Sequence, residues 1–144
     1  MRKILILLLI QSANLYCQEA LKLDDIYTEN NLTYKSSNDK LFSGKVERYK
    51  RKNHLVLELF FTEGILEKGN VYYNGKEKII SETRIYYPSR KIKTKIDFSL
   101  DHTYKWLTHY NENEEKVLVE EFENDILKYK CSYANGKKMA KNIV

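Results

Sequence analysis

The residues able to do chemistry are few and scattered. His54, His102 and His109 are the only 3 histidines in 144 residues. His102 and His109 are an odd number of positions apart, so on one strand their rings face opposite sides. His54 stands at a turn signal in a different stretch. A metal site needs ligands that converge, and this spacing brings none together. Glu112, Glu114, Glu115, Glu120, Glu121 and Glu123 crowd one stretch. Paired carboxylates can cleave glycosidic bonds when they face each other across a cleft, at about 5–9.5 Å. Here they alternate with Lys116 and Lys128, which reads as a solvated face with cross-strand ion pairs. There is no serine nucleophile elbow, phosphate-cradling Gly-rich loop or EF-hand loop. The sequence therefore predicts no catalytic residue, no metal ligand, no cofactor and no enzymatic activity.

The remaining candidate is aromatic. Trp106, the sole tryptophan, lies in Tyr104-Lys105-Trp106-Leu107-Thr108-His109-Tyr110. A period of two puts Tyr104, Trp106, Thr108 and Tyr110 on one face of a strand. Phe98, with Ile92 and Ile96, is expected to extend that strip from the preceding strand. Trp and Tyr are enriched in binding hot spots, so Tyr104, Trp106, Tyr110 and Phe98 are the expected partner-binding residues. Packing within an apolar layer of the sheet is the plainer reading of the same side chains.

These residues need strands to carry them. Val71-Tyr72-Tyr73-Asn74-Gly75-Lys76-Glu77 is an aromatic strand end, a turn dipeptide and the start of another strand. Asn-Gly between strand-like runs signals a type I′ hairpin, because both central residues need positive φ. The phrase returns at Tyr133-Ala134-Asn135-Gly136-Lys137. Between these, aromatic residues recur about every twelve positions, the spacing of short strands joined by tight turns. The strands alternate: Ile92, Thr94, Ile96 and Phe98 share one face, and Lys91, Lys93, Lys95 and Asp97 the other. Leu55, Leu57, Leu59 and Phe61 form a similar set, as do Leu127, Tyr129, Cys131 and Tyr133. A charged face excludes a parallel sheet buried on both sides, and no window keeps a helical period. The expected fold is all-β: an antiparallel meander of about nine or ten strands. It occupies residues 34–144, with residues 18–33 as an approach and capping segment.

Composition narrows the partners. Charged residues make up 31% of the chain, both signs finely mixed, for a net +5. Nucleic acid binding wants a basic patch or stripe, and anionic membrane surfaces want clustered bases; neither is present. The 12 tyrosines suit a half-wet surface better than a dry interior. At the start, Arg2 and Lys3 precede the apolar run Ile4 to Ile10 and a polar tail, the pattern of a secretory signal peptide. The run is too short to span a bilayer. The expected leader is residues 1–17, cut between Cys17 and Gln18, leaving a periplasmic, cell-surface or secreted protein. A second reading makes Cys17 a lipidated first residue, but Asn14 and Tyr16 stand where such a site wants leucine and a small residue. After cleavage Cys131 is the only cysteine, so no intrachain disulfide forms, and it is expected as buried filler.

Three stretches carry a family resemblance. They are Leu32-Thr33-Tyr34-Lys35 through Leu41-Phe42-Ser43-Gly44-Lys45-Val46, then Tyr72-Tyr73-Asn74-Gly75-Lys76, then Tyr133-Ala134-Asn135-Gly136-Lys137. Together they resemble the bacterial YwqK-type family of MORN-like repeats, whose members are commonly labelled toxin–antitoxin antitoxins. The chain departs from that pattern where Pro88-Ser89-Arg90 and Asn111-Glu112-Asn113 replace the Asn-Gly turn. The resemblance implies an extended, twisted, solenoid-like single sheet and gives no catalytic residues to carry over. A large open sheet with a Tyr/Trp-rich face suits a protein partner better than a small substrate, and the expected partner is a toxin or an envelope component. A structural or membrane-associated envelope protein is the alternative, and an unrecognised envelope enzyme the remotest one. A leader and a cytoplasmic antitoxin exclude each other; an envelope immunity protein reconciles them.

Overall fold

The computed structural model describes residues 20–143. The expected leader, its cleavage site and Cys17 lie outside the described residues. The strands are β1 Ala20–Lys22, β2 Ile26–Glu29, β3 Leu32–Lys35, β4 Gly44–Lys50, β5 His54–Thr62 and β6 Ile65–Tyr72. They continue as β7 Ile80–Tyr86, β8 Ile92–Phe98, β9 Tyr104–Tyr110, β10 Lys116–Glu123, β11 Ile126–Ala134 and β12 Lys137–Ile143. Ten of them form one open sheet in the order β1-β4-β5-β6-β7-β8-β9-β10-β11-β12, while β2 and β3 form a separate hairpin. From β4 to β12 every neighbour is antiparallel, as the alternating pattern requires. The departure is β1, which runs parallel to β4 with Ala20 opposite Lys45. Parallel neighbours need a crossover connection, and the β2–β3 hairpin supplies it.

That hairpin creates the only thick part of the described sheet. Phe42, Val46, Phe61 and Leu66 are buried together, with Leu21, Ile26, Leu59 and Tyr86 packed against them. Backbone bonds lock the join. Thr33 N–H donates to Gly64 O at 2.8 Å, Gly64 N–H to Phe42 O at 2.8 Å, and Phe42 N–H to Thr33 O at 2.9 Å. Further along, no second sheet of described strands covers it. There, cross-strand pairs are the units of stability, at about 0.2–1 kcal/mol each.

Four of the nine hairpin corners among the described strands take tight two-residue turns. Both central residues have positive φ at Asn30-Asn31, Glu63-Gly64, Asn124-Asp125 and Asn135-Gly136, as type I′ turns demand. Asn74-Gly75 differs: neither residue is among those with positive φ. There β6 ends at Tyr72, β7 begins at Ile80, and Tyr73 N–H donates to Ile79 O at 2.9 Å. A two-residue turn would have set Lys76, Glu77 and Lys78 against Tyr73, Tyr72 and Val71. The longer loop leaves those three charged residues exposed and puts Ile80 opposite Tyr72 instead. Register is worth more than turn type where one register keeps apolar residues in the sheet.

Candidate functional site

Register decides which side chains meet. Val71, Glu82, Asp97, Trp106, Glu121 and Tyr129 lie opposite one another in succession across β6 to β11, so they share one face. One step along, Tyr104 lies opposite Glu123, which lies opposite Ile126. Period two therefore brings Tyr104 and Trp106 together, as the sequence implies. Their rings stack with centroids 6.2 Å apart and planes 18° off parallel. Both stay open to solvent, Tyr104 at 43% and Trp106 at 39%, and Ile126 beside them is 60% exposed. The Tyr104 hydroxyl donates to Glu123 Oε1 at 2.7 Å. That bond raises the tyrosine's pKa and lowers the carboxyl's, with Lys128 helping to hold the carboxylate.

The other expected members of the strip lie elsewhere. Tyr110 is on the same face as Trp106 but at the far end of β9, half-buried and opposite Lys116; its carbonyl accepts from the Tyr87 hydroxyl at 2.8 Å. Phe98 is on the opposite face. It pairs with Lys105, while its neighbour Asp97 pairs with Trp106. The Phe98 ring stacks on His102 at 4.8 Å. Ile96 follows it to that side, opposite Leu107. So β8 extends the Trp106 face with charge, not with apolar groups.

That charge is largely self-paired. Lys95 Nζ lies 3.1 Å from Glu82 and 2.8 Å from Asp97, and Arg84 Nε also holds Glu82. Burial alone would raise the Glu82 carboxyl, but the bonds from Arg84 and Lys95 outweigh it and hold the group below the usual carboxylate range. On the other side of Trp106, Glu121 has no hydrogen bond or ion pair among the described residues.

The opposite face holds a relay that the sequence reading missed. His109 Nδ1 lies 3.1 Å from Thr94 Oγ1, and its Nε2 lies 3.2 Å from Glu120 Oε2. Lys130 Nζ donates to Glu120 Oε1 at 2.9 Å. The Lys130 bond, helped by His109, holds the Glu120 carboxyl low against the effect of burial. The signal was one-strand spacing: 94, 109, 120 and 130 fall on four successive strands. Hydroxyl, imidazole and carboxylate stand in the order of a nucleophile relay. Acyl transfer also needs donors aimed at the developing oxyanion, and the strands around this relay use their backbone groups in the β8–β9–β10 ladders. The arrangement can stitch four strands together by hydrogen bonds.

His54 and His102 do not join His109. His102 Nε2 lies 2.9 Å from Ile80 O. Among the described residues no three His, Cys, Asp or Glu side chains gather as a metal would require. Cys131 is fully buried. Two shallow hollows lie at the N-terminal end, one lined by Leu21, Asp24, Asp25, Lys35, Ser36 and Ser37, the other by residues between Lys22 and Asn53. Neither touches the aromatic pair or the relay. No protein-family model matches the chain and no curated protein matches it, so the resemblance to MORN-like repeats rests on the residues that carry it.

Proposed function

We propose that this chain is an exported, non-enzymatic β-repeat protein that works as an interaction module, docking a protein partner on its Tyr104–Trp106 face. The observation that carries this reading is the stacked, solvent-open aromatic pair. It is held on a strand with a hydrogen-bonded neighbour on each side, so little freedom is lost on binding. A wide sheet offers area without a cleft, which suits a protein surface better than a small substrate. Export rests on the basic, apolar and polar order of the first residues. An immunity-type role against a toxin accommodates both export and the family resemblance; a structural envelope protein is the alternative.

The test is capture from the host's envelope fraction with the tagged full-length protein, beside a Trp106→Ala bait. Circular dichroism confirms that the sheet of each bait is intact. One dominant partner, lost with Trp106→Ala, supports the module. A partner held equally by both baits rejects this face. If the captured protein is the product of an adjacent gene and binds at nanomolar strength, the immunity reading gains; capture of abundant envelope proteins alone favours the structural one.

A further inference from the structure

We propose that the segment docking on Trp106 is basic, and that a partner lysine or arginine packs on the Tyr104–Trp106 pair with Glu121 as its counter-ion. This rests on the docking reading above and adds the partner's chemistry to it.

Three observations carry it. The face of an indole ring is electron-rich and attracts cations more strongly than other aromatic faces do. The cross-strand neighbours of Trp106 are both carboxylates, Asp97 on β8 and Glu121 on β10. Asp97 is committed to Lys95 at 2.8 Å, whereas Glu121 has no ion pair among the described residues. The second observation is the symmetry of the site. Glu121 sits between Trp106 on one strand and Tyr129 on the next, so a carboxylate is flanked by two aromatic side chains. A neutral apolar partner would bury that charge uncompensated, at a heavy cost. A basic side chain satisfies it and the rings together. The third observation is the local balance of charge. The chain is net +5, yet residues 112–125 carry 7 acids against a single base, Lys116. Of these acids, Glu121 and Glu123 share the face of Trp106, with Glu123 held by Lys128, whereas Glu120 lies on the opposite face and Glu112, Glu114 and Glu115 stand in the turn at the far end of β9. Glu121, the carboxylate beside Trp106 without an ion pair among the described residues, favours a basic protein segment over an anionic membrane.

Trp106 is the sole tryptophan, so the emission of the full-length protein reports on this site directly. The probes are nona-arginine and nona-glutamate peptides, titrated into wild type and Glu121→Gln. A saturable change in emission with nona-arginine and none with nona-glutamate is expected. Glu121→Gln should weaken the arginine peptide by about tenfold, the scale of losing one desolvated charge contact. Equal binding to Glu121→Gln and wild type would assign the effect to general acidity and overturn the proposal. So would no change in emission with nona-arginine. The capture experiment separates this claim from the docking reading. If Trp106→Ala loses the partner but Glu121→Gln and about 1 M salt, where the screening length is about 3 Å, leave it bound, the face stands and the basic partner is wrong. If Trp106→Ala retains the partner, both fall.

Discussion

Replacing Gly64 with alanine probes the join between the N-terminal hairpin and the sheet. Gly64 has φ of +79°, and a Cβ there would sit 2.8 Å from Leu41 Cδ2, 2.9 Å from Thr33 O and 3.2 Å from Thr33 N. The Leu41 side chain is 44% exposed and can swing aside. Thr33 cannot, because it is fully buried and its N–H donates to the carbonyl of Gly64 itself. Two costs follow. Holding an alanine in the left-handed region costs about 1–2 kcal/mol. Forcing a methyl against fixed backbone costs about 1–3 kcal/mol more. Gly136→Ala is the internal control. Its φ is +73°, but no atom lies within 4 Å of the added Cβ, so only the first cost applies. Any entropic gain in the unfolded chain is common to both and cancels. Urea unfolding followed by far-ultraviolet circular dichroism should show Gly64→Ala the less stable by about 1–3 kcal/mol, with equal denaturant slopes. Equal losses, or a larger loss at Gly136, would refute the three-way backbone lock.

Other consequences can be checked the same way. Phe42→Ala removes a fully buried ring that packs on Phe61 with centroids 5.5 Å apart, and should cost about 3–5 kcal/mol; a loss under about 1 kcal/mol would mean the hairpin does not anchor the sheet. Glu82 and Glu120 are both held below their ordinary value by bonded cations. Their stabilisation is complete above the unfolded value of about 4.3 and is lost as pH falls through the lower folded values. The urea midpoint should therefore fall more steeply on acidification for wild type than for the Glu82→Gln, Glu120→Gln double variant; matching slopes would discount these ion pairs. The neighbouring Tyr129 holds the Cys131 thiol's pKa below its ordinary value, against the effect of burial, yet the residue is fully buried. Peptide mapping after iodoacetamide treatment should find Cys131 unmodified in the native protein and alkylated in urea. Rapid native labelling would show that the strands around it open.

What the sequence made legible was periodic and local. Alternation along β8 and β11 and the turn at Asn135-Gly136 follow from side-chain direction and positive φ alone; along β5 the buried positions are Leu55, Glu58 and Phe61, so burial there does not simply alternate. Parity between strands was not legible. Phe98 lies opposite Lys105 because the turn from Ser99 to Tyr104 has its particular length, and one residue more or less would have set Phe98 beside Trp106. The same ignorance of register hid the Thr94–His109–Glu120–Lys130 relay, whose members are fixed by three successive turns. Asn74-Gly75 misled for a related reason: the charged run Lys76-Glu77-Lys78 makes the tight turn's register a poor one. The N-terminal hairpin was only half visible. Residues 18–33 show no strong period, and nothing local reveals that Thr33 is buried by Gly64 and Phe42 from far along the chain.

The central claim is that one face of the sheet docks a protein, and a photo-crosslinking amino acid placed on each face tests it most directly. At Tyr104 it projects from the aromatic face; at Lys105, the next residue, it projects from the opposite one. Both variants are irradiated in the host and the adducts identified by mass spectrometry. The account predicts a single partner adduct from position 104 and none from position 105. An adduct from 105 alone, or equal adducts from both, would contradict it.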